Sequence, residues 1–213
     1  KLYNFKNAIV EIPDKKTIRQ AFRQTGYHNI ILSRDQSSVY LARKGMRISY
    51  TAIGKGFAAD RVKKIWQEKG VRSGYINASG DLTAFGTKAD GCPWKIGIAN
   101  PENPGVILFY IPLNSASVAT SGDYEQYFIN DGKRYSHNIH PKTGLPLQGM
   151  HSVTVISPSA ELSGTLATAV SVMGVENGLN FIDQLPDTHC IIINEEDRCF
   201  LSGKLELKYG KQI

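Results

Sequence analysis

The chain has 213 residues, of which 41% are hydrophobic, and this is enough for a substantial core in one domain over residues 1–213. Its formal net charge is +6, but lysine and arginine are scattered in ones and twos. A nucleic-acid partner, which needs a concentrated basic face, is therefore not expected, and the charge favours either an anionic small molecule or no specific partner. No apolar run approaches the ~18 residues that span a bilayer.

In the first third of the chain, hydrophobic periodicity predicts two helices with strands between them. Ile18 and Ala21 recur at helical spacing within a predicted helix over residues 15–26. The predicted strands cover residues 30–33, 38–42 and 46–50. A second helix is predicted over residues 56–69, with Gly70 as its stop.

The rest of the chain mixes strands and helices without regular alternation. Strand-like segments lie at residues 74–78, 82–85, 94–98, 106–113, 116–119 and 151–156. Helices are predicted at residues 163–173 and 176–185, and a final hairpin at residues 190–193 and 198–201. Because no βαβ alternation is present, the sequence predicts an α+β fold with a mixed, mostly antiparallel sheet flanked by helices.

The three cysteines leave the redox compartment open. Cys92, Cys190 and Cys199 lack the CxxC spacing of zinc knuckles and redox pairs. Cys190 and Cys199 flank the predicted final hairpin and could face each other across it.

Because the chain opens on Lys1 and not on Met, we expect a processed or otherwise shortened chain, so the missing signal peptide says little.

Three short polar corners are candidates for contact with an anionic ligand. Lys55 lies between Gly54 and Gly56 at the start of a helix, where backbone amides and a lysine suit a phosphate, although a flexible turn is the alternative. The other two corners combine small residues with an aspartate. They consist of Asn77, Ser79, Gly80 and Asp81, and of Thr120, Ser121, Gly122 and Asp123. Each is typical of a tight turn, but together in one cleft they would hold a dinucleotide.

A second polar cluster contains two histidines. His137 and His140 precede Pro141 and are candidate general bases or metal ligands. No third zinc ligand is apparent, so a structural or exposed pair is the alternative. We expect any chemistry to lie within residues 119–146, although an ordinary hairpin has a similar composition.

In order and spacing, residues 20–202 resemble the ApbE family of FAD:protein FMN transferases. The stretch GMRISYTAIGKGFAADRVKKIWQEKGVRSGYINASGDLTAFG is similar to the family's strand, AKG turn, helix and NxGGD turn. The family's order continues through PWKIGIANP, SVATSGDYEQYFINDGKRYSHNIHPKTGLP, HSVTVISPSAELSGTLATAVSVMG and IIINEEDRCFLSG. The resemblance implies an ApbE-like, T-fold-related architecture from which the N-terminal part of the family is absent.

The resemblance also implies a reaction, in which a Thr or Ser hydroxyl of a target protein attacks the FMN-side phosphorus of FAD, with magnesium present and AMP leaving. The implied target is a flavin-accepting subunit of a membrane redox complex, and export to the periplasm or lipid anchoring is typical of the family. His137 matches the base-like residue, and the Gly54 carbonyl and Thr168 match metal ligands. The positions expected to line the flavin-nucleotide cleft are Lys55, Asn77, Ser79, Gly80, Asp81, Thr120, Ser121, Gly122, Asp123 and His140.

Three acidic positions of the family are replaced in this chain. Gly164 stands where the family's helix has an aspartate four residues before the metal-binding threonine, His140 stands in the HxxDP turn, and Ser49 begins the DLGGIAKG-like segment. Losing carboxylates weakens a magnesium site. Two alternatives therefore stay open: a non-catalytic relative that binds a flavin nucleotide or a protein partner, and an enzyme that hydrolyses FAD to FMN and AMP.

Overall fold

The structure is a computed structural model that describes residues 2–3, 5, 11–103, 105–123, 126–203, 205 and 208–209. The chain divides into two compact units, each described below by itself. The smaller unit comprises Lys1–Tyr50 and Gln126–Gln148, and the larger unit comprises Thr51–Glu125 and Gly149–Ile213. A single domain over residues 1–213 stays a prediction.

The helices and strands mix along the chain as the sequence predicts. The helices are α1 (Lys15–Phe22), α2 (Gly54–Glu68), α3 (Ala160–Met173) and α4 (Val175–Ile182). The strands are β1 (Ile30–Ser33), β2 (Ser38–Leu41), β3 (Gly74–Ala78), β4 (Asp81–Phe85), β5 (Trp94–Ala99), β6 (Ile107–Leu113), β7 (Ser117–Gly122), β8 (Tyr127–Asn130), β9 (Lys133–Ser136), β10 (Met150–Ser157), β11 (His189–Asn194), β12 (Cys199–Leu201) and β13 (Lys208–Tyr209).

The larger unit is built on an antiparallel sheet. Among the described residues its strands lie in the order β12-β11-β10-β7-β4-β3, and a smaller antiparallel sheet has the order β13-β6-β5. Successive side chains of a strand point to opposite faces of the sheet. Accordingly, Cys190 and Ile192 pack with α3 and α4, whereas Ile191 packs with β5 and β6. The predicted α+β class with a mostly antiparallel sheet is confirmed.

Helix α3 packs against α2, and the side chains of Ser159 and Asp60 form hydrogen bonds with the first backbone amides of α3. The Ser159 hydroxyl accepts from Leu162 N at 3.2 Å and caps α3. The Asp60 carboxylate of α2 accepts from Ala160 N at 3.0 Å and from Glu161 N at 2.9 Å. The amino end of α3 is therefore completed by a side chain from another helix.

The smaller unit contains α1 and two hairpins. Asp14 caps α1 by accepting from Lys16 N and Thr17 N. Strands β1 and β2 form one hairpin, and β8 and β9 form the other. Phe128 of β8 is fully buried and stacks on Tyr135 of β9, with ring centroids 5.1 Å apart.

The predicted strand over residues 46–50 and the predicted helix bounds need correction. Residues 46–50 are not a strand. Ile48 and Tyr50 are 37% and 62% exposed, so the alternation of apolar and polar residues in this segment does not correspond to a buried strand face. The polar segment 119–146 contains the hairpin β8–β9, in keeping with the hairpin alternative, and the location of the chemistry within it stays a prediction. Helices α2 and α3 begin at residues 54 and 160, before the predicted starts at 56 and 163, and the predicted helices over 15–26 and 176–185 end earlier, at residues 22 and 182.

Cys190 and Cys199 do not face each other, so that prediction is wrong. In the register of the final hairpin Cys199 pairs with Ile193, and the carbonyl of Cys190 accepts from Ser202 N at 3.0 Å. Cys190 is buried in the core while Cys199 is exposed, and both are free thiols. The loop between the strands sets this offset of register.

Candidate functional site

The β3–β4 connection is a two-residue turn that presents polar groups at one end of the sheet of the larger unit. Ala78 pairs with Asp81, and the two residues between them, Ser79 and Gly80, have φ values of 56° and 103°. Hairpin turns of this length favour positive φ at both positions, which explains the glycine. The Asn77 side-chain oxygen accepts from Gly80 N at 2.9 Å and holds the turn closed.

The amino end of α2 meets this turn. Lys55, in the first turn of α2, donates from Nζ to the Ser79 carbonyl at 3.0 Å. The residue before the helix, Ile53, provides no side-chain cap. The first amides of α2 and the Lys55 ammonium together form a positively charged end of the kind that binds phosphate groups.

The polar face of α3 lies against the same turn. A Cβ placed on Gly164 would lie 3.0 Å from Asp81 Oδ2 and 2.9 Å from the Ala52 carbonyl oxygen. Thr168, one helical turn further along, donates from Oγ1 to the Gly164 carbonyl at 3.2 Å. Asp81 itself is only 8% exposed, so its carboxylate is buried beside the helix.

The last residues of β7 lie at this end of the sheet as well. Leu82 of β4 pairs with Val118 of β7, so the residues after Val118 run alongside the β3–β4 turn. The hydroxyls of Thr120 and Thr154 share a hydrogen bond of 2.8 Å between β7 and β10. Asp123 is 8% exposed and donates from its backbone N to the His151 carbonyl at 3.0 Å.

The two histidines belong to the smaller unit. His137 Nδ1 lies 3.2 Å from the Gln126 carbonyl oxygen. A carbonyl oxygen can only accept, so this hydrogen bond places the proton on Nδ1 and leaves Nε2 as a proton acceptor. His140 Nδ1 accepts from Lys142 N at 3.1 Å within a tight turn.

The structure thus brings together most of the predicted site residues within the larger unit. They are Gly54, Lys55, Asn77, Ser79, Gly80, Asp81, Thr120, Ser121, Gly122, Asp123 and Thr168. His137 and His140 lie in the smaller unit. Within the described ranges, no group of three or more His, Cys, Asp or Glu side chains could hold a metal ion.

Sequence reasoning missed two residues that position this site. Asp60 holds the amino end of α3, and the Ala52 carbonyl faces Gly164 beside Asp81. Each of these contacts joins residues that are distant in the chain, for which periodicity and local motifs give no signal. His151 was also missed, and its Nδ1 lies 3.5 Å from a carboxylate oxygen of Glu102 and of Asp197.

No helix in the part of the chain that the structure describes has the length and apolar character needed to cross a membrane.

Comparison with known proteins gives consistent matches over most of the chain. A model of the ApbE family matches residues 1–192. An FAD:protein FMN transferase of Klebsiella pneumoniae (strain 342) is 32% identical over 201 residues, covering 93% of this chain and 62% of the relative. The chain therefore spans about three fifths of the length of this curated relative.

Solved structures show the same similarity. The ApbE protein from Thermotoga maritima is 34% identical with a TM-score of 0.82, over 93% of this chain and 64% of that one. The apo form of the flavinyl transferase ApbE from Pseudomonas stutzeri is 30% identical with a TM-score of 0.77, over 94% of this chain and 60% of that one.

Proposed function

Since this chain belongs to the ApbE family, we propose that it takes part in the transfer of FMN from FAD to a Thr or Ser hydroxyl of an acceptor protein. The hydroxyl oxygen forms a bond to the FMN-side phosphorus, the bond from that phosphorus to the bridging oxygen breaks, and AMP leaves with the bridging oxygen. The hydroxyl proton passes to a base. Positioning and charge stabilisation supply most of the catalysis in such a reaction.

The observation that carries this proposal is the meeting of three polar corners at one end of the sheet of the larger unit. The amino end of α2 contacts the β3–β4 turn through Lys55 and Ser79, and β7 runs alongside it. Backbone amides, a lysine and small residues suit a diphosphate, because they offer donors without large side chains in its path. We assign FAD to this end of the sheet.

His137 is proposed as the base for the acceptor hydroxyl. Its Nδ1 hydrogen bond with the Gln126 carbonyl leaves Nε2 free to accept a proton. The flavin-nucleotide contacts are proposed for Lys55, Asn77, Ser79, Gly80, Thr120, Ser121, Gly122, Asp123 and His140, and Asp81 lines the same cleft through the accompanying cation.

Magnesium is proposed as the accompanying ion, and the larger unit contains oxygen donors suited to it. Thr168 lies one turn after Gly164 in α3, and the carboxylate of Asp81 lies against the helix at Gly164. The Gly54 carbonyl, in the first turn of α2, is the third proposed donor. Magnesium is commonly held by one or two carboxylates together with substrate phosphates. When bound, it neutralises charge on the diphosphate.

Calorimetric titration of FAD with and without magnesium, with AMP followed in the same samples, tests this proposal. We expect binding that magnesium strengthens, and AMP release when an acceptor protein is added. Covalent FMN on a Thr or Ser of the acceptor, measured by mass spectrometry, would identify transfer. Failure to bind FAD under either condition would refute the proposal.

A second candidate is a flavin-nucleotide-binding relative without catalysis, which the glycine at position 164 favours because it removes a carboxylate from α3. It predicts firm FAD binding that magnesium does not change, and no AMP release. An FAD hydrolase would release AMP and FMN without any acceptor. The same titration, run with and without an acceptor protein, separates the three functions.

A further inference from the structure

Gly164 and Asp81 occupy facing positions with no room between them for another side chain. A Cβ on Gly164 would lie 3.0 Å from Asp81 Oδ2 and 3.7 Å from Asp81 Cγ. It would also lie 2.9 Å from the carbonyl oxygen of Ala52. The space beside α3 at this position is therefore bordered by two oxygen atoms, both within 3.0 Å of the same point.

These oxygens are of the kinds that bind a hard divalent cation. One belongs to a carboxylate and one to a peptide carbonyl, and the Thr168 hydroxyl lies one turn further along the same face of the helix. Carboxylate, carbonyl and hydroxyl oxygens are typical ligands of magnesium and calcium. The acidic group at Gly164 thus comes from the first residue of β4 and not from the helix.

We infer that Asp81 supplies the carboxylate for the divalent cation that accompanies the FAD diphosphate, and that Gly164 provides the space into which this carboxylate reaches. This inference rests on the proposed function. Its consequence is that the chain keeps a cation-binding carboxylate although α3 carries none at position 164. The role of Asp81 is therefore to bind the cation and not only to close the hairpin turn.

The first test compares FAD titrations with and without magnesium for the wild type and for Asp81→Asn. We expect magnesium to tighten FAD binding in the wild type, and the gain to fall by at least about tenfold in Asp81→Asn, as for loss of a metal-site group. Metal-free FAD binding should change by less than about threefold, because no phosphate contact is removed. Bound Mn²⁺, measured by electron paramagnetic resonance, should fall in parallel.

The matched control is Asp123→Asn, because Asp123 is an equally buried aspartate, 8% exposed, in the other small-residue corner. It can weaken FAD binding, but the ratio of affinities with and without magnesium should match that of the wild type. A melting temperature recorded for each variant identifies any loss of folding.

A transplant of the carboxylate provides a result that a structural role for Asp81 would not produce. In Asp81→Ala/Gly164→Asp the crowding carboxylate is removed and another is placed on α3 in the same space. We expect this double variant to regain magnesium-dependent FAD binding that Asp81→Ala alone loses. The remaining close contact, 2.9 Å from the Ala52 carbonyl oxygen, requires the exposed turn at Ala52 to move, and the melting temperature of the double variant measures the cost of that movement.

The outcomes separate this inference from the proposed function. If the wild type fails to bind FAD, the proposed function is wrong. If FAD binds but Asp81→Asn keeps the full magnesium gain, or the wild type shows no gain and binds no Mn²⁺, the role of Asp81 is refuted while FAD binding stands. Equal losses of metal-free and magnesium-dependent binding in Asp81→Asn would also refute it.

Discussion

The imidazole of His137 is held by a single carbonyl, and this gives its two nitrogens different roles. Nδ1 donates to the Gln126 carbonyl at 3.2 Å, so in the proposed transfer Nε2 is the atom that would take a proton from the acceptor hydroxyl. We expect His137→Ala to lower the rate of FMN transfer by about 10²- to 10⁴-fold, with FAD affinity changed by less than about threefold.

Initial rates of AMP release and FAD titrations measure the two effects separately. His28→Ala is a suitable control, because His28 is exposed and lies outside the proposed site. Equal losses of rate and affinity in His137→Ala would argue for a structural role.

Burial makes the Cys190 thiol unreactive. Desolvation, with a smaller contribution from the nearby Asp183 carboxylate, raises the pKa of Cys190 from 9.0 to about 12. At about pH 8.5 the reactive thiolate is therefore almost absent at this residue. We expect iodoacetamide to label exposed Cys92 first and to leave Cys190 unlabelled in the folded protein, as measured by peptide mass spectrometry. Labelling of Cys190 as fast as Cys92 would contradict this burial.

The same shift in pKa has a consequence for stability at high pH. The folded protein keeps Cys190 neutral, so the contribution of this residue to stability is fully present below pH 9.0 and is lost as the pH rises towards about 12. Cys190→Ala should therefore lose less of its free energy of unfolding between these pH values than the wild type does. Urea unfolding at a series of pH values measures the difference, and parallel losses would show that other groups dominate.

At the scale of secondary-structure elements, the contact between α2 and α3 depends on a glycine. A Cβ on Gly56 would lie 2.3 Å from the backbone oxygen of Ala160, too close for any side chain. We expect Gly56→Ala to lower the free energy of unfolding by about 1–3 kcal/mol, because the two helices must move apart.

Gly54→Ala is the matched control in the same helix, since nothing lies within 4 Å of a Cβ at that position. It should be neutral or stabilising by up to about 1 kcal/mol, because alanine favours a helix more than glycine does. Urea unfolding of both variants measures the two effects. Equal stability of Gly56→Ala and Gly54→Ala would show that the helices can separate without cost.

These elements also show what sequence can and cannot predict. The body of α2 follows from the apolar spacing of its residues, but its start at Gly54 was missed because glycine is a poor helix former. The dipeptide Asp131-Gly132, with positive φ at both residues, was an available signal for the hairpin β8–β9. Local patterns are informative where the chain folds upon itself over a few residues.

The candidate site also has one part that the sequence predicts and another that it does not. Its corners were predictable, because glycine and small polar residues mark turns within a short window. The approach of Asp81 to Gly164 and the cap of α3 by Asp60 depend on packing between residues far apart in the chain. No pattern in a single sequence contains such distances. From the sequence, the glycine at position 164 indicated only a weakened magnesium site, whereas the structure shows the Asp81 carboxylate facing it.

At the scale of the whole molecule, the net charge of +6 bears on how an anionic ligand is attracted. Lys55 is exposed, so salt would screen its proposed interaction with the FAD diphosphate. We expect FAD affinity to fall by roughly threefold to tenfold between about 20 mM and about 500 mM salt. Riboflavin, which has no phosphate, is the control and should show no such dependence. A salt-independent FAD affinity would mean that apolar contacts with the flavin dominate binding.

The bond from Asp60 to the amino end of α3 spans 100 residues of chain, and this separation matters while the protein is being made. A ribosome that adds about 5–20 residues per second reaches Ala160 roughly 5 to 20 s after Asp60. During that interval α2 can form, but Gly56 and Asp60 do not yet have α3 as their partner. A nascent chain that stops short of α3 therefore exposes an incomplete surface, which makes this interval the time when chaperones would have a target.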